Sequence, residues 1–220
     1  MVVPHERYLI DFGSVREELA CTYACSGLTA FSALNKAAPL AANDTLVVIG
    51  AGGLGLQAIG LAHSVHGVAP VVAEIDRSKW DAALTAGAAQ VIDPRDPEAV
   101  KALVGRTGGA AAVVDFVGAP STVGFAMQVL RRGGRLVIVG LMGGAIELQL
   151  PLLPIRALSI IGSFVGSLDE MRALLALARE GKVAEIPVQV RALEEAQRTL
   201  GGSEAGQGGG AGGVAPLRCE

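Results

Sequence analysis

Gly50-Ala51-Gly52-Gly53-Leu54-Gly55 sets glycines at the spacing G-x-G-x-x-G, directly after the β-branched run TLVVI (45–49). That arrangement suits phosphate chemistry. The first glycine permits a tight turn, the second lets backbone N–H groups approach a pyrophosphate, and the third lets a helix pack closely on its strand. The helix N-terminus that follows adds partial positive charge toward the phosphates. Glu74 stands nineteen residues after Gly55, at the end of the next apolar run. A carboxylate there accepts from a ribose 2′-OH and repels a 2′-phosphate, which favours NAD over NADP. Arg77 and Lys79 lie close behind and work against that preference. The loop names a cofactor class rather than a reaction, because other doubly wound folds, methyltransferases among them, also place an acid there.

The remaining candidates are three cysteines (Cys21, Cys25, Cys219) and three histidines (His5, His63, His66). Cys21 and Cys25 are one helical turn apart, and composition alone makes each a small buried helix residue. His63 and His66 fall on the helix after the glycine loop, away from its phosphate side, and read as surface or packing residues. His5 has no partner for a relay. An odd number of cysteines without compact spacing excludes a secreted disulfide framework.

These residues need a scaffold, and the chain spells one out. Strands are expected at 45–49, 71–75, 89–93, 111–117 and 135–140, with a sixth at Leu158–Val165. Helices are expected at Leu54–Val65, Ser78–Ala86, 97–105, 121–130 and Asp169–Arg179, the last with Met171, Leu174, Leu175 and Ala178 on one stripe. Such alternation predicts an α/β fold, a doubly wound parallel sheet covered by helices on both faces. Residues 1–40 and 186–200 stand outside the alternation.

The 220 residues are 51% apolar and carry a net charge of −3, which excludes global disorder and an electrostatic footprint for nucleic acid or an anionic membrane. Thr45–Ala73 contains no formally charged residue, but its glycines, histidines and proline argue against a spanning helix. No secretory leader pattern opens the chain, so the cytoplasm is the expected compartment. Glycine is concentrated at the end: residues 201–220 hold eight of the 30.

Taken in order, CSGLTA (25–30), TLVVIGAGGLG (45–55), AEIDRSK (73–79), AGAAQVID (86–93), VVDFVGAPST (113–122), LRRGGRLVIVGLMGG (130–144) and IIGSFVGSLDEM (160–171) resemble the zinc-dependent medium-chain alcohol dehydrogenases. The resemblance runs from about Val2 to Leu200. It implies a six-stranded Rossmann sheet with remnants of a GroES-like catalytic domain. The implied division is 1–24 as catalytic-domain remnant, 25–166 as the NAD-binding domain with its lead-in helix, and 167–200 as a C-terminal helix and return. By the same resemblance Cys25 is one of three protein ligands of a catalytic zinc, whose open fourth position takes the alcohol. Thr29 touches the nicotinamide and acts in catalysis, and Lys79 meets the adenine ribose region, where Ile75 also lies. Val139, Gly140 and Leu141 face the nicotinamide, while Phe116, Val117, Ser163, Phe164 and Val165 line the cleft. The implied cofactors are NAD and, where further ligands are supplied, zinc; the implied substrates are a small alcohol and its aldehyde or ketone. Homo-oligomers are implied through edge strand 158–165.

Two departures qualify that picture. Members of the family carry a long segment ahead of MVVPHERYLIDFG, holding the other zinc ligands and the proton-relay hydroxyl. One cysteine cannot hold a catalytic zinc, so cofactor binding with little or no alcohol oxidation is expected of this chain. The tail GGSEAGQGGGAGGVAPLRCE replaces the usual ending. Moved one nucleotide forward, its codons admit Asp-Leu-[Lys/Arg]-x-Gly-[Lys/Arg]-Val-Val-Gly-Arg-Val-Val-Leu, and a shifted reading frame near residue 200 is the expectation. Two other functions compete with the leading one: a zinc-independent, quinone-reductase-like NADPH enzyme, and a non-catalytic nucleotide-binding remnant. Glu74 and Cys25 both count against the former.

Overall fold

The computed structural model describes residues 3–188 together with 190–192, 195 and 197. The glycine-rich tail at 201–220, its proposed frame shift and Cys219 lie outside the described residues.

Six strands, β1 (Leu46–Ile49), β2 (Val71–Ala73), β3 (Gln90–Ile92), β4 (Ala110–Asp115), β5 (Leu130–Ile138) and β6 (Ser159–Gly162), form one sheet in the order β3-β2-β1-β4-β5-β6. Every neighbouring pair is parallel. The expected doubly wound α/β architecture is therefore what the chain adopts. All four residues of β1 are buried, as a central strand covered on both faces requires. Their side chains alternate between two cores: Leu46 and Val48 join α2 (Leu28–Ala37) and α3 (Gly53–His66), while Val47 and Ile49 join α5 (Pro97–Thr107) and α6 (Pro120–Val129). Fully buried leucines such as Leu56 and Leu61 each contribute about 1.5–3 kcal/mol.

Helix ends follow their local chemistry. The Asp96 carboxylate caps α5 by accepting from the Glu98 amide at 3.0 Å, Pro97 opens the helix, and Gly108 closes it in the left-handed region. Helix α4 (Trp80–Thr85) follows a short 3₁₀ turn at Arg77–Lys79, capped by Asp76. The uncharged stretch 45–73 resolves into β1, α3 and β2. Among the described residues no helix is long and apolar enough to cross a membrane.

Element ends shift, with β2 and β4 stopping at Ala73 and Asp115 and β5 running over Leu130–Ile138, and further features depart from the sequence expectations. A helix α7 (Leu152–Arg156) precedes β6, where none was foreseen. Strand β6 covers only Ser159–Gly162: the Ser163 amide still donates to the Ile138 carbonyl of β5, and the chain then turns at Val165, with φ +50°. Residues Glu17–Ala37 are helical almost throughout: α1 (Glu17–Thr22), a widened π-type turn (Tyr23–Gly27) and then α2. Ala30, Ala33, Leu34 and Ala37, at the i, i+3, i+4, i+7 spacing of one helical face, are all fully buried, while Asn35 on the opposite side is exposed; this is the lead-in helix that the resemblance implies. Helix α8 (Leu168–Arg179) packs on α2 and the π turn through Leu174 and Leu175. The chain then crosses α3 at Gly60, where an added Cβ would meet the Ala184 Cβ at 3.1 Å.

Candidate functional site

The strand order reverses between β1 and β4, and the crevice outside their carboxyl ends is where such sheets take ligands. The glycine loop fills that point. Gly50 has φ +91°, open to glycine with little strain, and its N–H donates to the Ala73 carbonyl at 2.9 Å. A Cβ on Gly55 would stand 1.9 Å from the Gly50 carbonyl oxygen, so α3 lies directly on the loop. Gly52, the N-cap of α3, is the opposite case: a Cβ there would meet nothing within 4 Å. The first turn of α3 contains no acidic residue, so its free N–H groups face an anion-accepting space.

Glu74 is 6% exposed and its carboxylate faces the loop. One oxygen accepts the Ala51 N–H at 2.7 Å and the other the Asp76 N–H at 2.8 Å. A carboxylate offers about four acceptor positions, so two remain for ribose hydroxyls. The Trp80 indole donates to the Glu74 carbonyl at 3.1 Å, and Arg77 stacks over the Trp80 ring. Beyond them the Asp93 carboxylate is pulled down to about 2, chiefly by the Arg95 side chain and then by the Arg95 amide.

A cavity of about 930 Å³ opens over these groups. It brings together Gly50, Gly52, Gly53, Leu54, Gly55, Glu74, Ile75, Lys79, Phe116, Val117 and Leu141 from the expected set, and adds Asp76, Arg95, Ser121 and Met142. Val139, Gly140, Ser163, Phe164, Val165, Thr29 and Cys25 do not line it.

The far wall is built on Asp115, a residue that sequence reasoning passed over. It is fully buried at the end of β4. One carboxylate oxygen accepts the Val117 and Gly118 amides at 2.9 and 3.0 Å, and the other the Thr122 hydroxyl at 2.6 Å. The Asp115 carbonyl takes the Val139 and Gly140 amides at 2.9 and 3.0 Å. Gly118 and Gly140 interlock so tightly that a Cβ on Gly118 would sit 1.9 Å from the Gly140 oxygen. The only signal for Asp115 in the sequence is an acid at the end of an otherwise apolar strand.

Cys25 lies in the π turn with its side chain exposed, a setting that recurs at functional positions. Thr29 is buried, and its hydroxyl donates to the Cys25 carbonyl at 2.7 Å, within its own helix. Among the described residues no group of three or more His, Cys, Asp or Glu side chains is placed to hold a metal. Cys25 is one donor where a catalytic zinc needs three from protein, so the described residues do not fit that ion. Cys21 is exposed too, so neither cysteine is the buried helix residue that composition suggests; partial desolvation raises the Cys21 thiol above its ordinary range. His66 bonds the Leu34 carbonyl at 2.8 Å, a packing role.

The family model described as "Zinc-binding dehydrogenase" matches residues 53–180, more than half of the chain. The chain belongs to the zinc-binding dehydrogenase family. It is 34% identical over 203 residues to an NAD-dependent alcohol dehydrogenase of Sulfurisphaera tokodaii, covering 91% of this chain and 58% of that protein. A second NAD-dependent alcohol dehydrogenase, from Saccharolobus solfataricus, is 31% identical with the same coverages. The crystal structure of the alcohol dehydrogenase from Aeropyrum pernix superposes with a TM-score of 0.76 at 31% identity, covering 86% of this chain and 55% of that one. The chain thus spans under two thirds of the length of these zinc-binding dehydrogenases.

Proposed function

We propose that this chain binds NAD or NADH across the carboxyl edge of its sheet, as the cofactor half of an alcohol-oxidising dehydrogenase. The observation that carries the reading is the open space at Gly52, at the bare N-terminus of α3 and directly above the strand-order reversal. A pyrophosphate fits there against the backbone of Gly50–Gly55, with Gly53 and Leu54 donating from the first turn of α3. Glu74 accepts from the adenine-side ribose through its unused lone pairs, Lys79 approaches the same ribose, and Ile75 covers the adenine edge. Phe116, Val117, Val139, Gly140 and Leu141 exclude water on the nicotinamide side, with Ser163, Phe164 and Val165 beyond them. When bound, the nicotinamide supplies hydride acceptance from an alcohol or return to an aldehyde or ketone.

In a protein carrying this chain, Cys25 is one zinc ligand and Thr29 a nicotinamide neighbour; the other ligands come from outside the described residues. Residues 1–24 and 167–200 belong with the family's GroES-like catalytic domain, 25–166 with the cofactor domain. The exposed edge strand β6, flanked by Ile155 and Phe164, joins two copies, and the compartment is the cytoplasm. The solitary position of Cys25 favours a second reading, a nucleotide-binding unit without turnover.

Titration of the full chain with NADH and with NADPH, followed by nicotinamide fluorescence, tests the proposal. NADH is expected to bind at least about tenfold more tightly, because Glu74 and Asp76 oppose a 2′-phosphate. Absence of binding overturns the proposal, and a preference for NADPH overturns its cofactor assignment.

A further inference from the structure

The turn after β6 is held from α2 at both ends. Leu28, Ser32 and Lys36 recur every four residues down one face of α2. The Lys36 ammonium donates to the Ser163 hydroxyl at 2.8 Å and to the Ser32 hydroxyl at 3.2 Å. Ser163 is itself buried, and its amide donates to the Ile138 carbonyl at 2.9 Å. At the other end Glu170 accepts from the Ser167 amide at 2.8 Å and from Asn35 of α2 at 3.3 Å. Burial pushes the Glu170 carboxyl up, but hydrogen bonds from Ser167, Asn35 and Ser32 outweigh it and leave the group below its ordinary range. Gly166 lies so close to α2 that an added Cβ would stand 2.7 Å from Leu28.

Between these fixed ends the backbone is strained. Val165 has φ +50°, a left-handed conformation that a β-branched residue rarely takes. Such residues persist only where their surroundings over-determine them, and they gather at ligand clamps. Phe164, beside it, is 76% exposed. An amine that bridges a buried hydroxyl of its own helix to another buried hydroxyl 127 residues on is a costly device for joining a helix to an edge strand, unless the turn it fixes has a ligand to meet.

We propose that Lys36 is a positioning residue that pre-forms the Ser163–Val165 turn for the nicotinamide half of the dinucleotide. This rests on the dinucleotide reading given above. The turn lies on the β4–β6 side of the strand-order reversal, and Glu74 lies on the β2 side, so the two ends of one dinucleotide meet different halves of the sheet. Loosening the turn therefore removes pre-organisation at one end only.

The test compares NADH with ADP-ribose, which keeps the adenosine and both phosphates but lacks the nicotinamide. Chains of residues 1–220 carrying Lys36→Met or Ser163→Ala are titrated with each ligand by calorimetry, alongside the unaltered chain. Ser163→Ala removes one hydroxyl with little change in volume and carries the test if Lys36→Met does not fold. The expected result is an NADH affinity lowered about tenfold with ADP-ribose affinity held within about twofold. Unchanged NADH affinity, or parallel loss of both ligands, overturns the assignment. Failure of the unaltered chain to bind either ligand overturns the dinucleotide reading beneath it.

Discussion

The glycine loop and the Cys25 turn are the two places on which the proposed function rests, and they are finished to different degrees. Between Gly50 and Gly55 the recognising groups are backbone amides in one contiguous stretch, so folding β1 and α3 completes the cradle. At Tyr23–Gly27 the backbone is equally well built, yet the zinc role proposed for Cys25 needs side chains from elsewhere. Phosphate recognition by main chain is a local property of a sequence, whereas a metal centre belongs to a three-dimensional gathering of distant residues.

The sharpest way to break the first region is to add one carbon at its tightest point. Gly55→Ala puts a Cβ 1.9 Å from the Gly50 carbonyl oxygen, a backbone atom that cannot step aside. Urea unfolding is expected to show a loss of about 3 kcal/mol or more. Gly118→Ala should behave alike, since its φ of +72° adds strain to the same 1.9 Å conflict with Gly140.

Gly52→Val separates binding from stability. Nothing in the protein lies within 4 Å of a Cβ there, so stability should fall by no more than about 1 kcal/mol, the difference in N-cap preference. NADH affinity should fall at least about tenfold, because the new side chain occupies the pyrophosphate's space. If affinity holds in a fluorescence titration, the phosphate does not sit at this glycine.

Acid should loosen the frame around both regions. Asp93 at about 2 and Glu170 below its ordinary range are depressed relative to their unfolded values near 3.9 and 4.3. Their stabilisation is present above those unfolded values and is lost as pH falls through the folded ones. Urea midpoints should drop between about pH 5 and pH 2, and the gap between Asp93→Asn and the unaltered chain should close over that interval. A gap that stays constant to pH 2 would contradict the Asp93 assignment.

The smallest effect belongs to the second region. Cys25 is exposed, and Cys25→Ser should change stability by under about 0.5 kcal/mol and leave NADH affinity within twofold. Differential scanning calorimetry and the same titration check both numbers.

What could be foreseen followed this same division. Gly50, Gly52, Gly55 and the alternation of strands and helices were legible because their signals are spacing and local periodicity. The orientation of Glu74 was not, since a carboxylate at a strand end can face a ribose or the neighbouring loop, and only the fold brings Ala51 within 2.7 Å. Asp115 was hidden as a single acid closing an apolar strand. The contact of Lys36 with Ser163 was hidden because no pattern links residues so far apart in the chain. The short β6 shows the converse: its run of apolar residues promised a longer strand than the Lys36-held turn permits.

The proposal sets a dinucleotide cradle at Gly50–Gly55 beside a cysteine, Cys25, that no other described residues join in holding a metal. Native mass spectrometry of the full chain, with NADH and Zn²⁺ both present in excess, tests it in one spectrum. The expected result is a dominant species carrying one NADH and no zinc. A species that holds zinc without the dinucleotide would contradict it.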